Sequence, residues 1–425
     1  EVPAGELSIQ VSSGPEYRPL KKSLRVRAGE ESRCTFRLRR WYSTARKGWY
    51  AGDNHVHTQH DPTASVRTDH AYTLLQARGG GLHFLTIARK LAKANSAPRD
   101  LRPRKGLLAS CSPELMVGPF VGHFNVPGIP ESAIDAGDFK NLVHPGQRIF
   151  DHVHRHGGAV SYTHPLSPIH LLHWMGATGA LSDAVLGRCA DAMDVRNREE
   201  EMFWYSLLGL GNRIAVSSST DSALERLNTH SPGDFRLYVQ SPRLRLSDLV
   251  AGIRHGRTFA TNGGPLFVFA TLDERPPGSV LTGGPGAPHR FSIEAVCDGR
   301  LKQVDLVRNG VVVKRFRDPG RGRIRLFHNF RESGRAWYAV RAESHAGHWA
   351  HSSPFYLDPP GAPPPPPAGL VVFAIGNFSR RLRVTPHFFA HLSSTVSQST
   401  ITRVDLLRDG TVAWSGTPLS GNRLA

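Results

Sequence analysis

The stretch GWYAGDNHVHTQHDP, residues 48–62, decides how this chain is read. It sets His55 and His57 one residue apart, directly after Gly52-Asp53 and just ahead of His60 and Asp61. Side chains two apart on a strand point the same way, so at a strand end two imidazoles with this spacing can reach one ion. The spacing alone is weak support, because the chain carries 22 histidines. His152 and His154, in DHVHRHGG, repeat it within a helical pattern, where positions two apart diverge. The alternative for His55 and His57 is that they are polar loop residues, and the choice rests on what other segments bring.

Outward from residue 48, short apolar runs alternate with helical patterns. GLHFLTIA (81–88), GGAVSYTHP (157–165), CADAMDVRN (189–197) and NRIAVSSSTDS (212–222) read as buried strands. Between them DHAYTLLQAR, QRIFDHVHRH and EEEMFWYSLLGL read as helices. LSDLVAGIRHG reads as another, with Ser247 near its N-cap and Gly256 just past its end. Strand-helix alternation is the mark of a parallel α/β fold, open or closed into a barrel. Either side of this region the pattern changes to alternation of period two. Residues 1–47 (LSIQV, SLRVRA, CTFRLRRW) predict an N-terminal β module. After GRTFATNGGPL, the runs FSIEAVCDG, LKQVDLVRNGVVVKRFR and RAWYAVRAES predict a β-sandwich, with a hairpin turn at Arg308-Asn309-Gly310. ITRVDLLRDGTVAW (401–414) repeats LKQVDLVRNGVVVK (301–314) nearly position for position. The expected organisation is therefore a β module (1–47), an α/β barrel (48–265), a β-sandwich (266–357), a Pro-rich linker (358–369) and a partial second β module (370–425).

Bulk properties agree with a globular enzyme-sized chain. At 425 residues it exceeds one ordinary core, so about two to four domains are expected. The excess of 53 Lys+Arg over 35 Asp+Glu is mostly arginine scattered along the chain, not concentrated on one element with interleaved aromatics. That argues against nucleic acid as partner and leaves a weak attraction for anionic substrates. Cys34, Cys111, Cys189 and Cys297 form no C-x-x-C pair and no disulfide framework. No apolar run is long enough for a membrane span, and the opening ELSIQVSSG is not a signal peptide, so the chain is expected to be processed or a fragment.

Support for a metal at His55 and His57 comes from the ends of later strands. Glu114 and His123 (SPELMVGPFVGHFNVPG), His164 (SYTHP), Asp194 (DAMDVRN) and Asp221 (SSSTDS) each fall at or near a predicted strand C-terminus, the rim where sites assemble in parallel α/β folds. Individually His164 could close a turn, Asp194 cap a helix and Asp221 orient a loop. As a set, imidazoles mixed with carboxylates suit zinc, iron or manganese better than an all-oxygen calcium cage.

With these residues in view, GDNHVHT, GLHFLTI, GHFNVPG, YTHP, STDSAL, GRTFATNGGPL and VDLVRNG, in this order, resemble the carbaryl-hydrolase (CehA/McbA-type) metallohydrolases of the polymerase-and-histidinol-phosphatase (PHP) superfamily over residues 48–357. The resemblance implies a distorted α/β barrel with up to three divalent ions at the strand C-termini and hydrolysis of esters, carbamates or phosphoesters. It implies metal ligation by His55, His57, Glu114, His123, His164 and Asp221, and a secreted or periplasmic location. The chain departs from the pattern where Ala88-Arg89-Lys90 replaces T-D-H, Asp221-Ser222-Ala223 replaces D-x-H, and Pro113 replaces the glycine before Glu114. Two lost imidazoles reduce the expectation to one or two ions, with Lys90 either contributing charge in the vacated place or turned to solvent.

A divalent ion lowers the pKa of a bound water from 15.7 toward about 7 and polarises a carbonyl or phosphoryl oxygen. The expected activity is therefore metal-bound hydroxide attacking an ester, carbamate, amide or phosphoester of a small molecule, with Asp221 or Asp194 as general base and Lys90, Arg89 or Arg196 neutralising developing charge. No G-x-S-x-G elbow or H-E-x-x-H motif offers another hydrolase chemistry. The rival expectation is a degenerate barrel that has kept the fold and serves as a binding or scaffold protein. Trp204 is expected in the core and Trp174 at a pocket, and SAPRDLRPRKGLLASCS (96–112) as a solvated loop.

Overall fold

The structure, a computed structural model, describes residues 2–59, 66–90, 106–116, 122–129, 133–134, 146–166, 179–181, 183–184, 187–226, 229–317 and 320–361, and short strands within 404–424; the side chains of Arg89, Lys90 and Met116 and of residues 404–424 lie outside the description.

Strand β1 (Trp49–His57) organises the molecule. Its pleat sends Val56 into an apolar cluster with Ala77, Leu82, Leu85 and Ile87, while Trp49 and Ala51 enter a second core and His55 and His57 meet each other at the strand's end. Gly52 leaves room for the Phe84 ring, which a Cβ would meet at 2.2 Å. The following strands are β2 (Phe84–Lys90), β3 (Leu108–Met116), β4 (His123–Asn125), β5 (Ser161–Tyr162), β6 (Ala192–Asp194), β7 (Ala215–Ser217), β8 (Ser222–Ala223), β9 (Arg236–Gln240) and β10 (Thr258–Thr261). They form the order β7-β6-β5-β4-β3-β2-β1-β9-β10, with β8 paired to β1. β1-β2-β3 and β5-β6-β7 are parallel, whereas β4 runs antiparallel to both neighbours. The sheet is thus mixed, and the parallel reading holds for only part of it.

The helices follow from local chemistry. α1 (His70–Gly79) is capped by Asp69, whose side chain accepts from Tyr72 N–H, and α3 (Arg198–Gly209) by Asn197 in the same way from Glu200 N–H. α2 (Gln147–Arg155) turns Ile149, Phe150 and Val153 inward. α4 (Leu246–Arg254) starts after Arg245 with no side-chain cap, so Ser247 lies inside its first turn, while Gly256 follows its end at φ 67° as expected. Among the described residues no helix is long and apolar enough to cross a membrane.

The main sheet does not stop at the expected sandwich boundary. β10 pairs with β18 (Trp349–Ser352), and the ladder continues through β17 (Ala336–Ser344), β14 (Leu301–Arg308) and β15 (Val311–Arg317). A separate three-stranded sheet, β11 (Leu266–Leu272), β13 (Ala287–Cys297) and β16 (Arg323–Glu332), encloses the core that contains Phe267, Phe291, Val304, Tyr338 and Phe355. Two short strands, β12 (Val280–Leu281) and β19 (Phe355–Leu357), pair with each other and join β17. Trp49, Ala51 and Tyr238 share that core, and Val307, Trp337 and Ala339 share the other with Phe203 and Trp204 of α3. Two layers of apolar residues therefore cross residue 265. Trp204 is fully buried, as its apolar run implies.

The sheet curls until its edge strand β7 returns to β10. The contact is made by side chains: Val216 N–H donates to Ser353 Oγ (2.8 Å), Thr258 Oγ1 donates to Val216 O (2.7 Å), and the two hydroxyls bond each other at 2.6 Å. Two buried hydroxyls thus satisfy an edge strand's backbone groups.

Residues 108–112, expected as the end of a loop, are the first half of β3; Leu107 and Ala109 are buried against Leu85 and Ile87, which outweighs the basic segment before them. Residues 96–105 of that loop, and Trp174, lie outside the described residues. The Asn309-Gly310 turn has φ values of 49° and 83°, as the hairpin signal demands. The sequence repeat pairs likewise: Val404–Arg408 and Thr411–Gly416 are paired antiparallel, with an irregularity between Leu406 and Leu407 that matches the one between Leu306 and Val307. At the other end, Gly5–Val11 pairs with Leu20–Val26, and Trp41 and Tyr42 stack on Phe267 at 5.6 and 5.3 Å.

Thr258→Val and Ser353→Ala are each expected to lower stability by about 1–3 kcal/mol, because each leaves a buried backbone group of Val216 without its partner. The check is the urea midpoint at unchanged slope; a shift within error for both would show that the curl does not depend on these hydroxyls.

Candidate metal centre

The expected ligands come from separate elements. His55 and His57 close β1, Glu114 stands near the end of β3, and His123 opens β4. His123 is at a strand N-terminus, not the C-terminus expected. Because β4 is antiparallel, its first residue pairs with Met116 at the end of β3 and so reaches the same rim. His164 lies just beyond β5, and Asp221 between β7 and β8. Both have left-handed backbones, with φ of 31° and 53°. Such angles are uncommon outside glycine and cluster at functional sites.

These side chains converge. His55 Nε2 lies 2.9 Å from His57 Nε2, 3.6 Å from Glu114 Oε1 and 3.4 Å from Asp221 Oδ1. His57 Nε2 is 3.3 Å from Glu114 Oε2 and 3.1 Å from Asp221 Oδ1. His123 Nδ1 is 2.9 Å from Glu114 Oε1, and His164 Nε2 is 3.6 Å from the same oxygen and 3.7 Å from Asp221 Oδ2. Three triads have donor atoms mutually within 4.8 Å: His55-His57-Glu114, His55-His164-Asp221 and Glu114-His123-His164. Glu114 belongs to two of them.

The electrostatics are those of a ligand set. Burial alone would depress the His55 imidazole, yet the facing charges of Asp221 and Glu114 outweigh it and lift its pKa to about 9. His57 is raised for the same reason, burial being opposed by the Asp221 and Glu114 carboxylates that face it. Burial would raise Glu114 and Asp221, but the imidazoles around them hold both carboxyls below their ordinary values. Two imidazolium N–H groups cannot face one another across 2.9 Å without repulsion. A cation that takes both Nε2 lone pairs removes the conflict. The same cation fits Glu114 Oε2 and Asp221 Oδ1, buried oxygens with no hydrogen-bond partner.

Other expected residues sit around this centre or apart from it. Asp194 is in none of the triads; its Oδ2 accepts from Ser219 Oγ, its Oδ1 has no hydrogen-bond partner, and its charge adds to the rise at His55. Lys90 ends β2 in register with Glu114 on β3, so its backbone position adjoins the centre, although its side chain lies outside the described residues. His60 and Asp61 lie outside them too. Arg196 is engaged by Glu200, donating from Nη2 to Oε1 at 2.8 Å. The second H-x-H separates as a helix requires, His152 pairing with Ala133 O and His154 with Asp191. His83 is structural, taking Ala51 N–H on Nδ1 at 3.0 Å. Sequence reasoning did not single out Ser219, Thr220 or Asp53. Their only signal is position, next to or two residues from a ligand.

No family model matches the chain, and no curated protein matches its sequence. Among solved structures, it is similar to a two-domain protein from Bacteroides vulgatus containing a predicted PHP-like metal-dependent phosphoesterase: 13% identity, 70% of this chain and 92% of that one covered, TM-score 0.37. It is also similar to the fibronectin(III)-like modules of Clostridium thermocellum CbhA, at 18% identity over 22% of this chain and 93% of that one, TM-score 0.16.

The pKa shifts fix a pH dependence. The His55 value of about 9 exceeds its ordinary 6.5, so its contribution to stability is fully present below pH 6.5 and is lost as pH rises through 9. Glu114 and Asp221 are depressed from 4.5 and 3.8, so theirs is present above those values and is lost as pH falls. Chelator-treated protein is expected to be most stable between about pH 4.5 and 6.5. The gain on adding Zn2+ should instead grow from pH 6 to 8, because coordination needs neutral imidazoles. Denaturant midpoints across pH with EDTA or Zn2+ check this; a flat chelated profile from pH 6.5 to 9 would contradict the pairing.

Proposed function

We propose that the protein is a metal-dependent hydrolase of the CehA/McbA type within the PHP superfamily, holding one or two Zn, Mn or Fe ions and cleaving an ester, carbamate, amide or phosphoester in a small molecule. The observation that carries this reading is the meeting of His55, His57, Glu114, His123, His164 and Asp221 at one rim, with carboxylate oxygens that no protein donor satisfies. The order of short motifs over residues 48–357 adds the subfamily.

When bound, such ions make water nucleophilic at neutral pH and polarise the scissile carbonyl or phosphoryl group. The chain's own residues then have distinct tasks. Four imidazoles and two carboxylates would hold the ions, Glu114 belonging to two of the triads. Asp194 keeps one oxygen fixed by Ser219 and the other without a hydrogen-bond partner, an arrangement suited to taking a proton from the attacking water. Lys90, in register with Glu114, is assigned to neutralising charge on the reacting group. Arg196, already engaged by Glu200, is given no such role.

Purified protein is expected to carry one or two equivalents of a transition metal by elemental analysis and to turn over at least one class in a panel of chromogenic carboxyl- and phosphoesters. His55→Ala/His57→Ala should lose both metal and turnover. Asp194→Asn should keep the metal and lower kcat by about 10²–10⁴-fold. Metal without turnover across the panel would favour a binding protein on the same fold; no metal in wild type would remove the hydrolase reading.

A further inference from the structure

Asp53 is fully buried and belongs to none of the metal-ligating triads. Its carboxylate is nonetheless saturated. Oδ1 accepts His55 N–H and Thr220 N–H, both at 3.2 Å, and Oδ2 accepts Thr220 Oγ1 at 2.6 Å and Gly233 N–H at 2.9 Å. With both oxygens engaged by protein donors, Asp53 differs from Glu114 and Asp221, each of which keeps an unsatisfied oxygen.

The donors matter for where they lie. One is the backbone of the ligand His55, and two belong to the residue preceding the ligand Asp221. A further bond, Asp221 N–H to His55 O at 2.9 Å, closes the connection beside them. Thr220 Oγ1 also receives Ser222 N–H at 3.2 Å, so the hydroxyl holds the chain on both sides of Asp221. Asp221 sits at φ 53°, a conformation that a residue with a Cβ keeps only when its surroundings impose it. His55 and Asp221, 166 positions apart, are thus fastened together through groups that touch no ion.

We propose that Asp53 and Thr220 form a positioning clamp that sets His55 against Asp221 and thereby sets the ion affinity of the centre. The inference rests on the metal-centre reading above. Asp53 is a positioning residue: it acts through His55 and Asp221. Four donors require an acceptor on both oxygens, so Asp53→Asn would turn an amide N–H2 toward at least one of them. Thr220→Val keeps the shape and removes the hydroxyl.

The test uses the full chain and Zn2+ alone, measuring its dissociation constant by competition with a chelating dye for wild type, Asp53→Asn, Thr220→Val and His57→Ala. The thermal midpoint of each in EDTA is measured in parallel. Both clamp variants should bind Zn2+ about 10–100-fold more weakly than wild type while staying folded in EDTA, with His57→Ala weaker still. Should Asp53→Asn fail to fold, Thr220→Val carries the test. A lowered midpoint with Zn2+ affinity within twofold of wild type would make the clamp merely structural and overturn the inference, leaving the metal centre standing. Wild type that binds no Zn2+ overturns both.

Discussion

A buried carboxylate, Glu114, and the half-buried Asp221 beside it must be neutralised where they stand, and the centre at the end of β1 is organised around that demand. Glu114 and Asp221 are surrounded by four imidazoles, and the neighbours of His55, His57, Glu114 and Asp221 shift the charge states of these four groups. Removing one member would leave the others buried with uncompensated charge, a costly state. The elements that meet there are correspondingly constrained. β1 must keep its pleat so that His55 and His57 emerge together, β4 must run backward so that His123 arrives from its first residue, and two non-glycine residues must hold left-handed backbones.

What could be read in the chain follows from how local each signal is. At β1 the legible signal was the two-residue spacing of His55 and His57, which a strand end turns to one side. α1, α2 and α3 were legible from their apolar spacing, and the Asn309-Gly310 hairpin from a turn that requires positive φ. The residues that converge at the centre were legible as polar residues following apolar runs. The direction of β4 was not, since three residues carry no periodicity and nothing in GHFN states which way the strand runs. β3 was half-hidden behind a basic segment, although its first residues are small and apolar.

The continuous sheet was the least legible feature. A change of hydrophobic pattern near residue 265 reads as a boundary, and the pattern does change in β16, whose burial alternates residue by residue, whereas β11 and β17 beyond the boundary stay buried on both faces. Pairing ignores that change: β10 and β18 belong to different patterns and the same ladder. The hydroxyls of Thr258 and Ser353 are ordinary polar residues in sequence, 95 positions apart, and only the curl of the sheet gives them a shared task.

That shared task bears on how such a chain can change over generations. Ser353 completes the wall of a region whose candidate ligands all lie before residue 222, so the strands beyond residue 265 are structurally part of the half that carries the candidate metal centre. Recombination that exchanged one half for a foreign counterpart would have to bring a matching hydroxyl to Val216, or inherit an open edge. Exchange of either half is accordingly constrained, whereas the paired strands Val404–Arg408 and Thr411–Gly416 repeat the register of β14 and β15.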